Sequence, residues 1–124
     1  DSGAVFSIIA LCNDEMIGHG SLHFREFGAT KHVGRFRIVV MPEFRNKRLG
    51  TWILLDLIQA AMDKGLKALR TDLVREMEDA AIEAVKKFDF FQRAELKNYA
   101  VDPDGRSHDM VIMIKRLHAN WTDY

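Results

Sequence analysis

The sequence predicts an α/β (α+β) fold: a mixed, mostly antiparallel sheet flanked by helices. Three observations carry that prediction. Three stretches rich in β-branched and apolar residues follow one another before Pro42, a long segment with helical apolar spacing follows it, and from Leu66 onward strand and helix patterns alternate until a last hairpin. Consecutive strand patterns joined by short polar turns pair antiparallel, whereas a strand left through a helix is rejoined by a parallel neighbour, so the sheet is mixed.

Taken in order, "VFSIIALC" (residues 5–12) is β-branched and apolar, "NDE" punctuates it, and "MIGHGSLHF" (16–24) alternates before a polar, glycine-containing loop, which reads as a hairpin. "HVGRFRIVVM" (32–41) is a third strand, ended by Pro42, which has no backbone N–H for the ladder. Over residues 48–64 the apolar residues Leu49, Trp52, Ile53, Leu57, Ile58, Ala60 and Ala61 recur at helical spacing, and Gly65 stands where a left-handed C-cap belongs. "LKALRTDLV" (66–74) is a short strand, "EMEDAAIEAVKKF" (76–88) a second helix, and "AELKNYAV" (94–101) and "HDMVIMIKRL" (108–117) two strands. Between those two, "DPDGR" (102–106) is hairpin-turn chemistry. No repeat, low-complexity segment or internal linker interrupts the pattern, so residues 1–124 are expected to form a single domain.

A chain of 124 residues with 48% hydrophobic content can build an ordinary core. Eighteen Lys and Arg balance eighteen Asp and Glu, so no global charge steers it to nucleic acid or an anionic membrane. Any charge logic is local. The single cysteine, Cys12, makes no internal disulfide, and no apolar run approaches the ~20 residues that span a bilayer; the expectation is a reducing, cytoplasmic setting. Because the chain opens "DSGAVF", without an initiator methionine, it is expected to be a piece of something longer.

The junction "VMPEFRNKRLG" (40–50) raises the functional question. A helix N-terminus leaves its first amide groups without intrahelical partners and carries roughly half a positive charge, and both features favour an anion, most often a phosphate. Arg45, Lys47 and Arg48 add point charges beside it. A solvated turn before an ordinary helix is the bland alternative.

With its flanking elements the junction resembles the GNAT superfamily of acyl-CoA N-acyltransferases. There a strand ends in V-x-P, and R/Q-x-x-G-x-G/A opens a helix whose amides hold the pyrophosphate of coenzyme A; Val40, Pro42, Arg45, Leu49 and Gly50 fall in register here. The order of elements matches from the family's second strand to its last. A second family motif, asparagine, then A-I, then L-Y-E-K-L-G-F, is matched loosely by "EDAAIEAVKKFDF", where Ala81, Ile82, Phe88 and Phe90 keep the apolar pattern. The resemblance implies a GNAT-like fold that is N-terminally incomplete, with acetyl-CoA as co-substrate and an amine as acceptor; from charge, hydropathy and spacing, neither metal nor nucleic acid nor membrane is expected as partner. By the same resemblance Val39 and Val40 offer backbone groups to pantetheine and the acyl carbonyl. Arg45, Asn46, Lys47 and Arg48 hold the phosphates together with the first turn at Leu49, Gly50 and Thr51. Glu78 stands at the pantetheine-contacting asparagine. The missing opening strand and helices leave the first strand near a sheet edge, to be covered by a lost segment, a parent protein or a second copy in a homodimer, with the trailing "HANWTDY" as part of that cover.

This chain departs from the family at three positions: Arg48 replaces the first loop glycine, Glu78 the asparagine, and Val85 the frequent tyrosine acid. If residue 48 needs positive φ, a non-glycine there costs about 1–2 kcal/mol, which a charge-assisted hydrogen bond to phosphate can offset. Water can protonate a thiolate leaving group, whose thiol resembles cysteine with a pKa near 8.5. Where family members often carry a glutamate on the central strand, Arg35 and Arg37 stand here, and these favour an acidic acceptor environment or simply face solvent. Asp72, on the following strand, and His108, entering the last, are the candidate bases; each also reads as an ordinary strand-end or hairpin-edge residue.

Other constellations fail on geometry. His19 and His23 have a zinc-like H-x₃-H spacing, but in a strand they stand about 13 Å apart. "DPDG" opens like a calcium loop, yet the twelfth position is Met113. Cys12 reads as an inert thiol, and "RNKR" lacks an interleaved aromatic platform for nucleic acid. The reading is therefore an acyl-CoA-dependent N-acyltransferase. A catalytically degenerate CoA-binding regulatory module of a larger protein and a plain interaction domain are the alternatives.

Overall fold

The computed structural model describes residues 3–45 and 48–117. Six strands, two α-helices and a 3₁₀ turn follow in the order β1 (Gly3–Cys12), β2 (Glu15–Arg25), β3 (Val33–Val40), the 3₁₀ turn Pro42–Phe44, α1 (Leu49–Asp63), β4 (Ala68–Val74), α2 (Asp79–Lys86), β5 (Phe91–Val101) and β6 (Ser107–Arg116). The strands form one mixed sheet in the order β1-β2-β3-β4-β6-β5. Two compact units divide these residues, the first running to Leu69 and including Leu117, the second comprising Arg70–Arg116. No helix among the described residues is long and apolar enough to cross a membrane.

In the first unit β1, β2 and β3 make an antiparallel meander, with Phe6 opposite Leu22 and Leu22 opposite Phe36. Asn13 and Asp14 both take positive φ (52° and 66°), the mirror-image two-residue turn whose twist suits a hairpin and which Asn and Asp tolerate. Successive side chains alternate between faces, and one face of the meander receives α1. Close approach there needs small residues: a β-carbon on Gly20 would stand 2.5 Å from Ile53 Cγ2 and 3.1 Å from Leu57 Cδ1. Leu22, Leu57 and Ala61 are completely buried. α1 ends as Gly65 anticipates. Gly65 has φ +77°, its N–H donates to Met62 O (3.0 Å), and Leu66 N–H donates to Ala61 O (3.0 Å), a Schellman ending that satisfies two orphan carbonyls. The helical stripe is corrected at one residue. Ile53, Leu54, Leu57 and Ala61 form the buried face, whereas Trp52, counted with the apolar stripe, is 67% exposed. β1 is an edge strand, as expected, and Val5, Ile9 and Leu11 on its outward face are exposed. The "HANWTDY" segment lies outside the described residues.

In the second unit Phe90, Ile82, Val111 and Met113 are buried together with Val85 and Leu73. α2 is shorter than its sequence pattern. Glu76 takes φ +68° and its N–H donates to Asp79 Oδ1 (2.8 Å), so the helix starts three residues late; Asp89 at φ +66° stops it, with Phe90 N–H bonded to Val85 O (3.2 Å). Asp89 thus fills the left-handed position where the L-Y-E-K-L-G-F pattern has glycine. β5 begins at Phe91, three residues earlier than read, and a register shift between Leu96 and Ala100 kinks it around Asn98 (φ +53°). The Asp109 carboxylate accepts the Asn98 N–H there (2.9 Å). The turn after β5 is built on Asp102, whose Oδ1 accepts the N–H groups of Asp104 and Arg106, both at 2.9 Å, with Gly105 at φ +84°.

Candidate functional site

β3 ends at Val40, and Pro42 at the start of the 3₁₀ turn redirects the chain toward α1. Arg45 closes that turn, its N–H donating to Pro42 O (3.3 Å) and its side-chain Nε donating to Val40 O (3.2 Å), which ties the basic loop to the end of the strand. Asn46 and Lys47 lie outside the described residues. Arg48 is the N-cap of α1 and sits in the left-handed region at φ 64°, ψ 8°. That is the conformation the family's glycine supplies without strain.

The first intrahelical bond of α1 runs from Trp52 N–H to Arg48 O (3.0 Å), so the N–H groups of Leu49, Gly50 and Thr51 precede the helical ladder. Among the described residues no side chain caps this end, and its first turn holds no acidic residue. Helix starts ordinarily carry an Asp, Ser or Thr cap and acidic first-turn side chains. Gly50 adds a second feature. Among the described residues a β-carbon there would meet only Val40 Cγ2, at 3.9 Å, although glycine costs the helix up to about 1 kcal/mol relative to alanine. Among the described residues these amides are uncapped and the nearest side chain to a Gly50 β-carbon is Val40, and a helix start of that kind favours an anion such as a phosphate. Val39 is 53% exposed on β3, opposite His19, and Trp52 stands exposed on the first turn; its periodic position hid that exposure in the sequence.

The remaining predicted residues belong to the second unit. Asp72 receives two hydrogen bonds from Arg70, Nε to Oδ1 at 2.9 Å and Nη2 to Oδ2 at 3.1 Å, and this pairing raises the Arg70 pKa further. Glu78 precedes α2; its carboxylate Oε1 accepts the Val74 N–H (3.0 Å) while its own N–H donates to Val74 O (2.8 Å). His108 has both ring nitrogens engaged by carboxylates, Nδ1 with Glu76 Oε1 at 2.8 Å and Nε2 with Asp102 Oδ2 at 2.7 Å. Asp102, then Glu76, raise the His108 pKa, while His108, then the Arg106 N–H, lower that of Asp102. His108, a candidate base in the sequence, is thus held between two carboxylates, and both interactions favour its protonated form. Sequence reasoning missed the clasp because Glu76 lies 32 residues away.

Comparison with known proteins bears on the family and the fold. The acetyltransferase (GNAT) family model matches residues 1–90. No curated protein matches the chain. Among solved structures, an N-acetyltransferase from Staphylococcus aureus Mu50 is similar at 22% identity and TM-score 0.83, over 90% of this chain and 67% of that one. A ribosomal-protein-alanine N-acetyltransferase from Brucella melitensis is similar at 23% identity and TM-score 0.80, over 90% and 68%. A phosphinothricin acetyltransferase from Sinorhizobium meliloti, in complex with acetyl-CoA, is similar at 20% identity and TM-score 0.83, over 94% and 63%. At these identities the likeness establishes the fold, and the chain spans about two thirds of the length of these structures.

Proposed function

The chain belongs to the acetyltransferase (GNAT) family, and from that membership we propose that it transfers acetyl from acetyl-CoA to a primary amine. One observation carries the reading: among the described residues no side chain caps the N-terminus of α1, with Arg48 at φ 64° in the glycine position of the loop and only Val40 near a Gly50 β-carbon. The N–H groups of Leu49, Gly50 and Thr51 bind the diphosphate of CoA, Arg45 and Arg48 neutralise it, and the β3 end at Val39 and Val40 orients the acyl group. Two of the similar structures are N-acetyltransferases by name, which supports nitrogen as the acceptor atom.

In the reaction the neutral amine attacks the thioester carbonyl carbon. The C–N bond forms, the C–S bond breaks, and the thiolate takes up a proton while the new amide nitrogen loses one. An amine with a lysine-like pKa of about 10.4 pays roughly 4–5 kcal/mol to be neutral at pH 7. Asp72, paired with Arg70, and His108, held by Glu76 and Asp102, are the candidate bases, and desolvation of the amine assists them.

A second reading, a CoA-binding regulatory module without transfer, is favoured by that same occupancy of Asp72 and His108. Calorimetric titration with acetyl-CoA separates both readings from a plain interaction domain. Release of free CoA thiol across a panel of amines then separates enzyme from sensor: amine-dependent release supports transfer, and binding with no release for any amine supports the module.

A further inference from the structure

The first turn of α1 ends on an aromatic side chain that neither the core nor the phosphate site uses. Trp52 is 67% exposed, against 47% for Leu55 and 45% for Met62 on the same helix. The buried face consists of Ile53, Leu54, Leu57 and Ala61. Among the described residues no hydrogen bond, ion pair or ring contact engages the indole. Burying an aromatic side chain removes roughly 150–250 Å² from water, and Trp52 forgoes most of that gain.

Its place is set by Arg48. The Trp52 N–H donates to Arg48 O (3.0 Å), the first bond of the helix, so the two residues stand one turn apart on the same face. Helical side chains lean toward the N-terminus, and a residue in the fourth helical position therefore covers the turn that bears the N–H groups of Leu49, Gly50 and Thr51.

Resting on the acetyl-CoA reading, we infer that Trp52 is the stacking platform for the adenine base of bound CoA. In CoA the base hangs one ribose away from the diphosphate, a separation comparable with the ~5.4 Å pitch of the helix. With the diphosphate on the first-turn amides and the Arg48 guanidinium, a base folded back along the Arg48 side of the helix meets the indole. Stacking needs only a flat π-face, which an exposed indole without a partner offers. Leu55, three residues further along, widens the apolar ledge. The two contacts differ in kind: salt screens the charge of Arg48 and leaves a stack on Trp52 in place. Trp52 thus adds affinity for the nucleotide end and touches none of the reacting atoms.

The test titrates acetyl-CoA into the parent, Trp52→Ala and Trp52→Phe by isothermal calorimetry, with inorganic pyrophosphate as a competitor that has the charge and no base. Trp52→Ala should bind acetyl-CoA about five- to tenfold more weakly, the lower end of the range for a base stacked on one side, and by the same factor at high salt. Trp52→Phe keeps an aromatic face and should lose only about twofold. Pyrophosphate should displace acetyl-CoA with the same inhibition constant from all three proteins. Tryptophan emission should fall as the parent binds acetyl-CoA, and this quenching should vanish in Trp52→Phe, whose one remaining tryptophan is Trp121. Unchanged acetyl-CoA affinity in Trp52→Ala overturns the inference and leaves the phosphate site standing. Equal weakening of acetyl-CoA and pyrophosphate also overturns it, because the substitution has then disturbed the helix start rather than removed a stack. If Trp52→Ala does not fold, the emission of the parent and of Trp52→Phe decides: quenching that persists in the variant overturns the inference. No saturable binding of acetyl-CoA by the parent defeats the acetyl-CoA reading, and the inference with it.

Discussion

Replacing Arg48 by glycine should separate fold stability from ligand affinity. Arg48 holds φ 64°, a conformation that costs an L-residue about 1–2 kcal/mol and costs glycine nothing. Glycine also enlarges the unfolded ensemble, which removes about 0.5–1 kcal/mol, so Arg48→Gly should gain roughly 0.5–1 kcal/mol net. For a chain of this size that is a rise of roughly 2–4 °C in Tm. The same change deletes a guanidinium beside the first turn of α1, an exposed contact worth about 1 kcal/mol after screening, so acetyl-CoA should bind about fivefold more weakly. Arg48→Glu keeps the backbone strain and reverses the charge, and it should weaken binding about tenfold or more at low salt. Differential scanning calorimetry and isothermal titration on the parent and both variants read these effects. A lower Tm for Arg48→Gly would refute the strain argument. Tight binding by Arg48→Gly where the parent does not bind would show that the guanidinium obstructs the site.

Gly50→Ala should stabilise the protein by up to about 1 kcal/mol, since among the described residues the new methyl meets only Val40, yet weaken acetyl-CoA binding several-fold by holding the phosphate off the amides; unchanged binding in the same titration speaks against close approach there. Gly20→Ala should cost about 1–3 kcal/mol in urea unfolding, because its β-carbon would stand 2.5 Å from Ile53, and a neutral result would mean that α1 moves freely off the meander. His108 should titrate in NMR above the ordinary histidine value of about 6.5, and Asp102→Asn should bring it down. Since its folded pKa is raised, the stability it contributes is full below the unfolded value and fades as pH rises through the folded one; a His108 pKa below 6.5 would contradict the clasp.

Where structure follows from neighbouring residues, the sequence was readable. Gly65 announced its Schellman ending, "ND" its hairpin turn, and "DPDGR" a turn in which Asp102 bonds two amides, because each depends on one or two local conformations. Even the left-handed Arg48 was foreseeable once the loop glycine was noted as replaced. Tertiary contacts were not. Glu76 leaves helical geometry, and helical periodicity cannot register that; Trp52 satisfies the apolar period yet faces out. The clasp of His108 needs Glu76 and Asp102 brought in from two loops, and neither distance in sequence hints at it. The strand-to-helix junction was legible as a motif, whereas the absence of a side-chain cap among the described residues required coordinates.

The central claim, that acetyl-CoA docks by its phosphates on the first turn of α1, is tested most directly by titrating the ¹⁵N-labelled protein with acetyl-CoA and following backbone amides. The account predicts saturable shifts of Gly50 and Thr51, weaker in Arg48→Glu, while Gly65 at the far end of the same helix stays in place. Saturation that leaves the Gly50 and Thr51 amides unmoved, or no saturable shift anywhere, would contradict it.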